Sequence, residues 1–422
     1  MAAGALPNLP EGWVWASVSE LCERVSVGHV GPTTEFFSNE ADAVTFIRSQ
    51  DVKPGRLELR ECARVTPEFH SKLKKSQLKA GDVLVVRVGA NRGDTCVVPE
   101  GTARLNCANI VFARPLFPNG FLGYFLRSDF GQSILLALTT GAAQGVLNTQ
   151  SIAALPAPVP PKDHQERIAS ILSAYDDLIE NNTRRIAILE EMARRIYEEW
   201  FVRFRFPGHE QVRMVESELG LIPEGWHWGE LRDISYDVRD SVNPDATDPA
   251  TPYVGLEHIP RRSLALAEWG TAADVQSTKL RFSSGDILFG KIRPYFHKVA
   301  IAPVAGVASS DAIVIRPKDT DWFPIVLSTV SSDAFVAEAT QSSNGTKMPR
   351  ANWNVLLGYK IPLPTQAVRE RFNDFVNGVA GSIKNMTLRN RNLRATRDLL
   401  LPKLISGELD VSRLPEAEAM AA

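Results

Sequence analysis

The chain carries the same series of short motifs twice, in the same order and about 204 to 213 residues apart. The segment Leu9-Pro10-Glu11-Gly12-Trp13 returns as Ile222-Pro223-Glu224-Gly225-Trp226, and Gly81-Asp82-Val83-Leu84 returns as Gly285-Asp286-Ile287-Leu288. Solenoid repeats have periods of about 20–50 residues, so a period this long indicates a duplicated domain. A duplicated domain in turn favours a binding target that has two halves.

Length and composition are those of a globular protein. With 422 residues, of which 44% are apolar and 23% charged, the chain is long enough for two or three hydrophobic cores. We expect a cytoplasmic protein, because the N-terminus lacks the basic stretch of a signal peptide and no apolar run is long enough to span a membrane. The four cysteines, Cys22, Cys62, Cys96 and Cys107, lack CxxC spacing and are expected to be reduced structural thiols.

Each copy predicts a mixed globular unit followed by a long helix. Two β-rich runs at 83–88 and 96–98 flank a Gly- and Asn-rich cluster, which predicts a hairpin with a polar turn. Runs at 286–290 and 297–301 predict the corresponding hairpin of the second copy. The predicted ranges are 1–165 and 207–369 for the globular domains, 166–206 and 370–407 for the long helices, and 408–422 for a C-terminal tail.

A heptad pattern in both helical stretches predicts that the helices pair. One heptad row of the first helix contains Ile168, Tyr175, Asn182, Leu189 and Ile196, and the row shifted by about 204 residues contains Phe372, Val379, Met386, Leu393 and Leu400. The first row is expected to share its seam with Ile171, Leu178 and Met192. An asparagine in such a row can fix the register of two helices at some cost in stability, and Asn182 is the candidate here.

Charge favours pairing of the two helices with each other. The first helix is rich in acidic residues between Asp176 and Glu199, whereas the second is basic between Lys384 and Lys403. Because a globular unit precedes each helix, an antiparallel pair is expected. The predicted fold class is therefore α+β, with two mixed α/β domains separated by two long helices that form an antiparallel coiled coil with a pseudo-twofold internal repeat. The alternative is that each helix packs on its own domain and exposes an ordinary charged face.

The motifs of common enzyme classes are missing from the sequence. It contains neither a GxxxxGK[ST] loop nor an HExxH motif, and the Asn/Asp-Pro-Pro-aromatic loop of DNA amino-methyltransferases is absent. Histidines are scattered without i,i+3 or i,i+4 pairs, which favours surface or packing roles over metal binding. We therefore expect a chain that is not catalytic by itself and binds no metal.

Polar loops are the better candidates for a functional surface. The net charge of -2 is a mild argument against nucleic-acid binding, but the basic residues are concentrated, with seven Lys and Arg between Arg261 and Lys298. Arginine can bond guanine in a bidentate manner, and asparagine or glutamine can bond adenine. Residues of these types lie on or beside the hairpins and the Gly-rich loops of both copies, and the candidates for DNA contact are Arg87, Asn91, Arg92, Thr140, Gln144, Lys291, Arg293, Tyr295, His297, Asn344, Lys347 and Arg350. The alternative for each is an ordinary surface ion pair or turn.

Taken together and in order, the repeated motifs resemble those of the specificity subunit of type I restriction-modification systems. The resemblance covers nearly the whole chain, from the two Pro-Glu-Gly-Trp segments through Gly285-Asp286-Ile287-Leu288-Phe289-Gly290-Lys291-Ile292-Arg293-Pro294 to Leu400-Leu401-Pro402-Lys403-Leu404-Ile405-Ser406-Gly407-Glu408-Leu409. One departure is the second junction into a long helix, where Val368-Arg369-Glu370-Arg371 lacks the glutamine of Gln165-Glu166-Arg167.

The resemblance implies a division of labour between this chain and its partners. The two globular units would be target recognition domains for a bipartite, asymmetric double-stranded DNA sequence, and the coiled coil would set the spacer between half-sites. Two methyltransferase subunits would carry S-adenosylmethionine and methylate adenine N6, and restriction subunits would use ATP, with Mg, to translocate and cut DNA. Two other functions are compatible with the residues, a self-sufficient methyltransferase or nuclease fused to recognition domains, and a coiled-coil scaffold that binds only proteins.

Overall fold

The computed structural model describes residues 8–137, 145–345 and 347–413. The chain forms two compact units, of which the first combines residues 1–177 with 395–422 and the second spans 178–394. Each unit therefore contains one globular part and one segment from each of the two long helices. Among the described residues, no helix is both long and apolar enough to cross a membrane.

The first unit contains the strands and helices that precede residue 177. Its strands are β1 (Val14–Ser17), β2 (Cys22–Val27), β3 (Val44–Ile47), β4 (Val52–Lys53), β5 (Arg56–Leu57), β6 (Ala63–Val65), β7 (Gln77–Leu78), β8 (Val83–Val86), β9 (Thr95–Val97), β10 (Leu105–Cys107), β11 (Ile110–Pro115) and β12 (Pro156–Val159). Its helices are α1 (Pro67–Lys72), α2 (Phe121–Arg127), α3 (Asp129–Ala137), α4 (Thr149–Ala153) and the start of α5 (Lys162–Tyr197), the first long helix.

The strands of this unit form two four-stranded sheets and two two-stranded ribbons, one of which pairs β4 with β5. One four-stranded sheet has the order β2-β11-β8-β9, with antiparallel pairs throughout, and the other has the order β6-β3-β10-β7, in which β3 and β10 are parallel. All four side chains of β8 are buried, as expected for a Val- and Leu-rich strand inside a sheet. The pairing of β8 with β9 confirms the predicted hairpin. β1 and β12 form a short antiparallel ribbon that precedes the first long helix.

The second unit repeats this plan with additional strands. Its strands are β13 (Met214–Ser217), β14 (Gly220–Pro223), β15 (His227–Glu230), β16 (Ser235–Asp237), β17 (Ser241–Val242), β18 (Pro252–Val254), β19 (Gly270–Thr271), β20 (Lys279–Phe282), β21 (Ile287–Gly290), β22 (Val299–Ile301), β23 (Gly306–Ala308), β24 (Ala312–Pro317) and β25 (Lys360–Leu363). Its helices are α6 (Leu231–Ile234), α7 (Phe323–Val330), α8 (Asp333–Gln341), α9 (Trp353–Leu356) and most of α10 (Gln366–Ser406), the second long helix.

The strand orders of the two units correspond. The sheet β16-β24-β21-β22 matches β2-β11-β8-β9, and β21 and β22 form the second predicted hairpin. β23 pairs in parallel with β18 and antiparallel with β20, as β10 does with β3 and β7. The ribbon of β15 with β25 matches that of β1 with β12. The duplication in the sequence is therefore a duplication of topology.

The repeated Pro-Glu-Gly-Trp motif forms the same turn in both units. The amide of Trp13 donates to the carbonyl of Pro10 at 3.1 Å, and that of Trp226 donates to Pro223 at 3.0 Å. The third residue of each turn has positive φ, 79° at Gly12 and 85° at Gly225, which glycine adopts without steric cost. After the turn, the chain enters β1 in the first unit and β15 in the second.

The repeated Gly-Asp motif supplies the buried carboxylate of an ion pair in both units. Asp82 accepts two hydrogen bonds of 2.7 Å from Arg114 on β11, and Asp286 accepts two of 2.7 Å from Arg316 on β24. Each aspartate also accepts a hydrogen bond from the backbone amide three residues earlier, that of Lys79 or Ser283. Planar bidentate geometry of this kind joins the hairpin strand firmly to its neighbour.

In the first unit, both long helices contribute to the core. Ile168 and Leu172 of α5, together with Leu401, Leu404 and Ile405 of α10, pack against α2, α3 and the β2-β11-β8 face. The carboxylate of Asp176 on α5 accepts bonds from Tyr124 at 3.0 Å, Arg127 at 3.0 Å and Arg397 of α10 at 2.5 Å. This cluster, the Asp176 cluster, ties α2 to both helices.

In the second unit, α5 and α10 pair in antiparallel orientation. Tyr197 near the end of α5 packs on Phe372 near the start of α10, while Asn182 donates to Asn390 at 2.9 Å much further along α10. Asn390 is 3% exposed and its amide also donates to the carbonyl of Ile179 and to Thr183. A buried, hydrogen-bonded Asn pair favours one alignment of the helices over others.

The ten residues predicted for the seam are buried or half-buried, but the row that accompanies them differs from the prediction. Leu178 and Met192 are 44% and 42% exposed, so their assignment to the seam is wrong. The second buried row instead contains Leu172, Ile179, Ile186 and Ala193 in α5 and Val376, Ile383 and Asn390 in α10. The predicted row therefore corresponds to heptad position d. Each residue of the accompanying row lies four positions after one residue of the predicted row and three before the next, which makes it position a.

A loop of the second unit is fastened to α5 through Glu190. One carboxylate oxygen of Glu190 accepts from the Ser263 hydroxyl at 2.8 Å and from the Leu264 amide at 2.6 Å. Burial raises the pKa of Glu190, and these hydrogen bonds act in the opposite direction. On α10, Arg391 lies over the ring of Trp269 at 3.8 Å, so the same loop region contacts both helices.

Candidate nucleic-acid interface

The hairpin turn of the first unit is held against the segment that follows the Gly-rich loop. The turn between β8 and β9 is closed by backbone bonds between Val86 and Asp94 and between Gly93 and Val86, each 2.9 Å. The amide of Leu147 then donates to the carbonyl of Arg87 at 3.0 Å. The candidate side chains of the turn and the start of the next segment are therefore brought together by backbone geometry.

Three of the predicted residues of the first unit lie on this turn. Arg87 is half-buried and donates to Asn109 at 3.2 Å, and Arg92 donates to the carbonyl of Gly145 at 2.6 Å. Asn91 is exposed at the tip. The Nε atoms of Arg87 and Arg92 are buried without a hydrogen-bond partner among the described residues. The other two predictions, Thr140 and Gln144, lie outside the described residues.

The second unit contains the same junction at equivalent positions. The amide of Ala351 donates to the carbonyl of Lys291 at 2.9 Å, which reproduces the bond between Leu147 and Arg87 about 204 residues earlier. A further bond of 2.7 Å joins the amide of Arg293 to the carbonyl of Pro349. The Gly-rich loop itself is closed by two backbone bonds between Asn344 and Arg350. In both units, then, the hairpin turn and the segment after the loop form one surface.

Cationic and amide side chains line this surface in the second unit. Asn344, Lys347 and Arg350 are exposed, and Arg350 lies 3.7 Å from the carboxylate of Asp311. Beside them is an open cleft of about 490 Å³, whose polar lining includes Lys291, Arg239, Asn344, Arg350, Asn352 and Asn354. A groove of this composition can accept phosphate oxygens on its cations and base edges on its amides.

The remaining predicted residues lie on the turn that joins β21 to β22. Tyr295 is 50% exposed, whereas His297 is only 7% exposed, with Nε2 2.8 Å from the carbonyl of Ser331. Burial lowers the pKa of His297, which favours the neutral imidazole. Its Nδ1 is 3.3 Å from Asp333, but the alignment is not that of a hydrogen bond. His297 therefore braces the turn from inside and does not present its ring to solvent.

Two residues of the surface were not predicted from the sequence. Asn109 orients Arg87 from the turn between β10 and β11, where its φ is 51°. Arg239 lines the cleft from the segment after β16. Neither belongs to a repeated motif, and each reaches the surface through sheet pairing, so only the topology reveals them. Among the described residues, His, Cys, Asp and Glu do not gather into groups of three that could hold a metal ion.

Comparisons with known proteins agree with this architecture. Residues 10–191 match the family described as "Type I restriction modification DNA specificity domain". The type I restriction enzyme MjaIX specificity subunit of Methanocaldococcus jannaschii is 25% identical over 306 residues, which are 70% of each chain. The MjaVIII specificity subunit of the same organism is 21% identical over 356 residues, 81% of this chain and 82% of the relative.

A solved structure shares the fold. The S subunit of a type I restriction-modification system from M. genitalium superposes with a TM-score of 0.57 over 94% of this chain and 98% of that chain, at 14% identity. In sequence, the chain is thus similar to type I restriction enzyme specificity subunits over 70–81% of its length, and residues 10–191 match the specificity-domain family.

Proposed function

We propose that this chain is the DNA sequence-specificity subunit of a type I restriction-modification complex. The observation that carries the proposal is the junction of each hairpin turn with the segment after the loop, which is made by an equivalent backbone hydrogen bond in both units but carries different side chains. Phosphate contacts position a protein on DNA, while base contacts select the sequence. Two equivalent surfaces with different side chains suit a bipartite target whose half-sites differ.

The chain would act without catalytic groups of its own. It would dock two methyltransferase subunits and, through them, restriction subunits, so that the assembly works as an adenine-N6 methyltransferase and a site-specific deoxyribonuclease. S-adenosylmethionine, ATP and Mg would be bound by those partners. The family relationship supports this assignment, and the roles of the individual turn residues rest on their exposure and charge.

Replacing one cation of each unit tests the DNA-binding surfaces. Arg87→Ala and Lys291→Ala are each expected to weaken DNA binding by about 1–3 kcal/mol, roughly 5- to 150-fold, because each removes a charge next to the turn. The measurement is fluorescence anisotropy at fixed salt, with the full chain in complex with the modification subunits of its own system. Arg195→Ala is the control, because that side chain is 75% exposed on α5 and pairs with Glu191.

The two substitutions should also show which unit reads which half-site. When one half-site is scrambled, the substitution in the unit that reads it should cause no further loss, while the other should keep its full effect. Wild-type affinity for both variants, with circular dichroism showing intact folding, would contradict the assignment of these surfaces to DNA.

A further inference from the structure

The turn that joins β21 to β22 holds two bulky residues in a conformation that such residues rarely adopt. Arg293 and His297, which flank the short helical turn Pro294–Phe296, have φ of 51° and 52°. Arg262, whose amide donates to the carbonyl of His297 at 2.9 Å, has φ of 53°. Left-handed backbone at side chains of this size costs free energy and persists only where the surroundings enforce it.

The surroundings of this turn do enforce it. Pro294 is buried, the amide of Arg293 is bonded to Pro349, and the His297 imidazole reaches the carbonyl of Ser331 at 2.8 Å. Arg262 donates to Asp333 at 3.0 Å, which fixes the neighbouring segment to the start of α8. Because the turn is held at several points, we expect its conformation to stay the same when a ligand binds.

What the turn presents to solvent is an aromatic ring beside a second ring that two arginines contact. Tyr295 is 50% exposed and rests edge-to-face on Phe296, with ring centroids 4.8 Å apart. Phe296 is covered in turn by the guanidinium of Arg261, 3.9 Å from its centroid. A single exposed aromatic residue is common on protein surfaces, but here it coincides with backbone strain and with a basic rim.

We propose that Tyr295 stacks on a nucleobase at an opened base step in the half-site that the second unit reads. This inference rests on the proposed function. Aromatic side chains stack on the π-face of any base, and apolar wedges inserted between base pairs unstack one step of the duplex. The flanking Arg261 and Arg293 would hold the phosphates of the distorted step.

Stacking of this kind favours DNA sequences whose base steps are easily deformed. Pyrimidine–purine steps such as TA and CA/TG unstack most easily, so the half-site of the second unit is expected to contain one where Tyr295 inserts. The equivalent turn of the first unit carries Gly89, Ala90 and Asn91 and has no aromatic residue. The distortion is therefore expected in one half-site alone, which adds to the asymmetry of the target.

Permanganate footprinting tests the proposal, because permanganate oxidises thymines that have lost a stacked neighbour and every TA or CA/TG step contains a thymine. The full chain with its modification subunits should produce hyperreactive thymine at one step of the second unit's half-site. Tyr295→Ala should abolish this reactivity and weaken binding by about 5- to 150-fold, whereas Tyr295→Phe, which keeps the ring, should preserve both. Arg195→Ala, on the exposed surface of α5 and outside both turns, is the control and should leave the thymine reactivity unchanged.

Several outcomes would overturn the proposal. Equal losses of DNA affinity and thymine reactivity in Tyr295→Phe and Tyr295→Ala would assign the role to the hydroxyl group. Three results would each contradict stacking on a base. These are unchanged DNA affinity in Tyr295→Ala, uniformly unreactive thymines in the wild-type complex, and a Tyr295→Ala variant that no longer binds the modification subunits but still binds DNA. If the wild-type complex binds DNA normally, these results defeat this inference alone; a wild-type complex that fails to bind DNA defeats the proposed function as well.

Discussion

Asp82→Ala is expected to destabilise the first unit by about 3–5 kcal/mol, because it leaves a nearly buried guanidinium without its partner. The Asp82 side chain is fully buried and that of Arg114 is 13% exposed, so water cannot easily replace the lost carboxylate. The same substitution removes the acceptor for the amide of Lys79. Chemical denaturation gives the loss in stability, and hydrogen exchange of β8 and β11 locates it.

The second unit supplies a matched comparison for this prediction. Asp286 makes the same two bonds, but its partner Arg316 is 34% exposed and can be hydrated when the carboxylate is removed. Asp286→Ala is therefore expected to cost less, about 1–3 kcal/mol, since hydration limits the penalty of an unpaired charge. A loss for Asp286→Ala that equals or exceeds that of Asp82→Ala would refute the argument from burial.

Asp176→Ala is expected to destabilise the first unit by about 2–4 kcal/mol, because one carboxylate serves three donors of the Asp176 cluster. Arg127 and Arg397 are 13% and 18% exposed, so their charges are poorly hydrated once the carboxylate is lost. Faster hydrogen exchange should appear in α2 and in the segment 395–406 of α10. Asp176→Asn keeps an acceptor but loses the charge and should fall between alanine and wild type.

Asp398→Ala is the control for this second prediction. Asp398 also pairs with Arg397, at 2.8 Å, but its side chain is 61% exposed. Exposed ion pairs contribute about 0–1 kcal/mol, so little change in stability is expected. If Asp398→Ala were as damaging as Asp176→Ala, the Asp176 cluster would not be what connects α2 to the two helices.

The repeated motifs predicted the architecture because each of them has a local structural cause. Pro-Glu-Gly-Trp encodes a turn with positive φ at Gly12 and Gly225, and the β-rich runs on either side of a Gly-rich cluster encode a hairpin. The heptad pattern identified both long helices and one of their buried rows. Such features depend on residues close together in the sequence, which is why a single sequence reveals them.

Features that depend on distant residues were missed. Leu178 and Met192 are apolar, so periodicity placed them in the seam, whereas the buried row contains the polar Asn390 because Asn182 satisfies its amide. His297 seemed available for a ligand by its position beside a turn, but the carbonyl of Ser331 draws its ring inward. Exposure and hydrogen-bond partners are set by the tertiary fold, and composition alone does not contain them.

Mapping of methylated adenines tests whether this chain selects the DNA sequence that its complex modifies. Genomic DNA from a host that carries the chain with its modification subunits would be compared with DNA from the same host lacking the chain. We expect adenine methylation, dependent on this chain, at a motif of two different half-sites separated by a spacer of fixed length and unspecified sequence. A contiguous or palindromic motif, or methylation that persists unchanged without the chain, would contradict it.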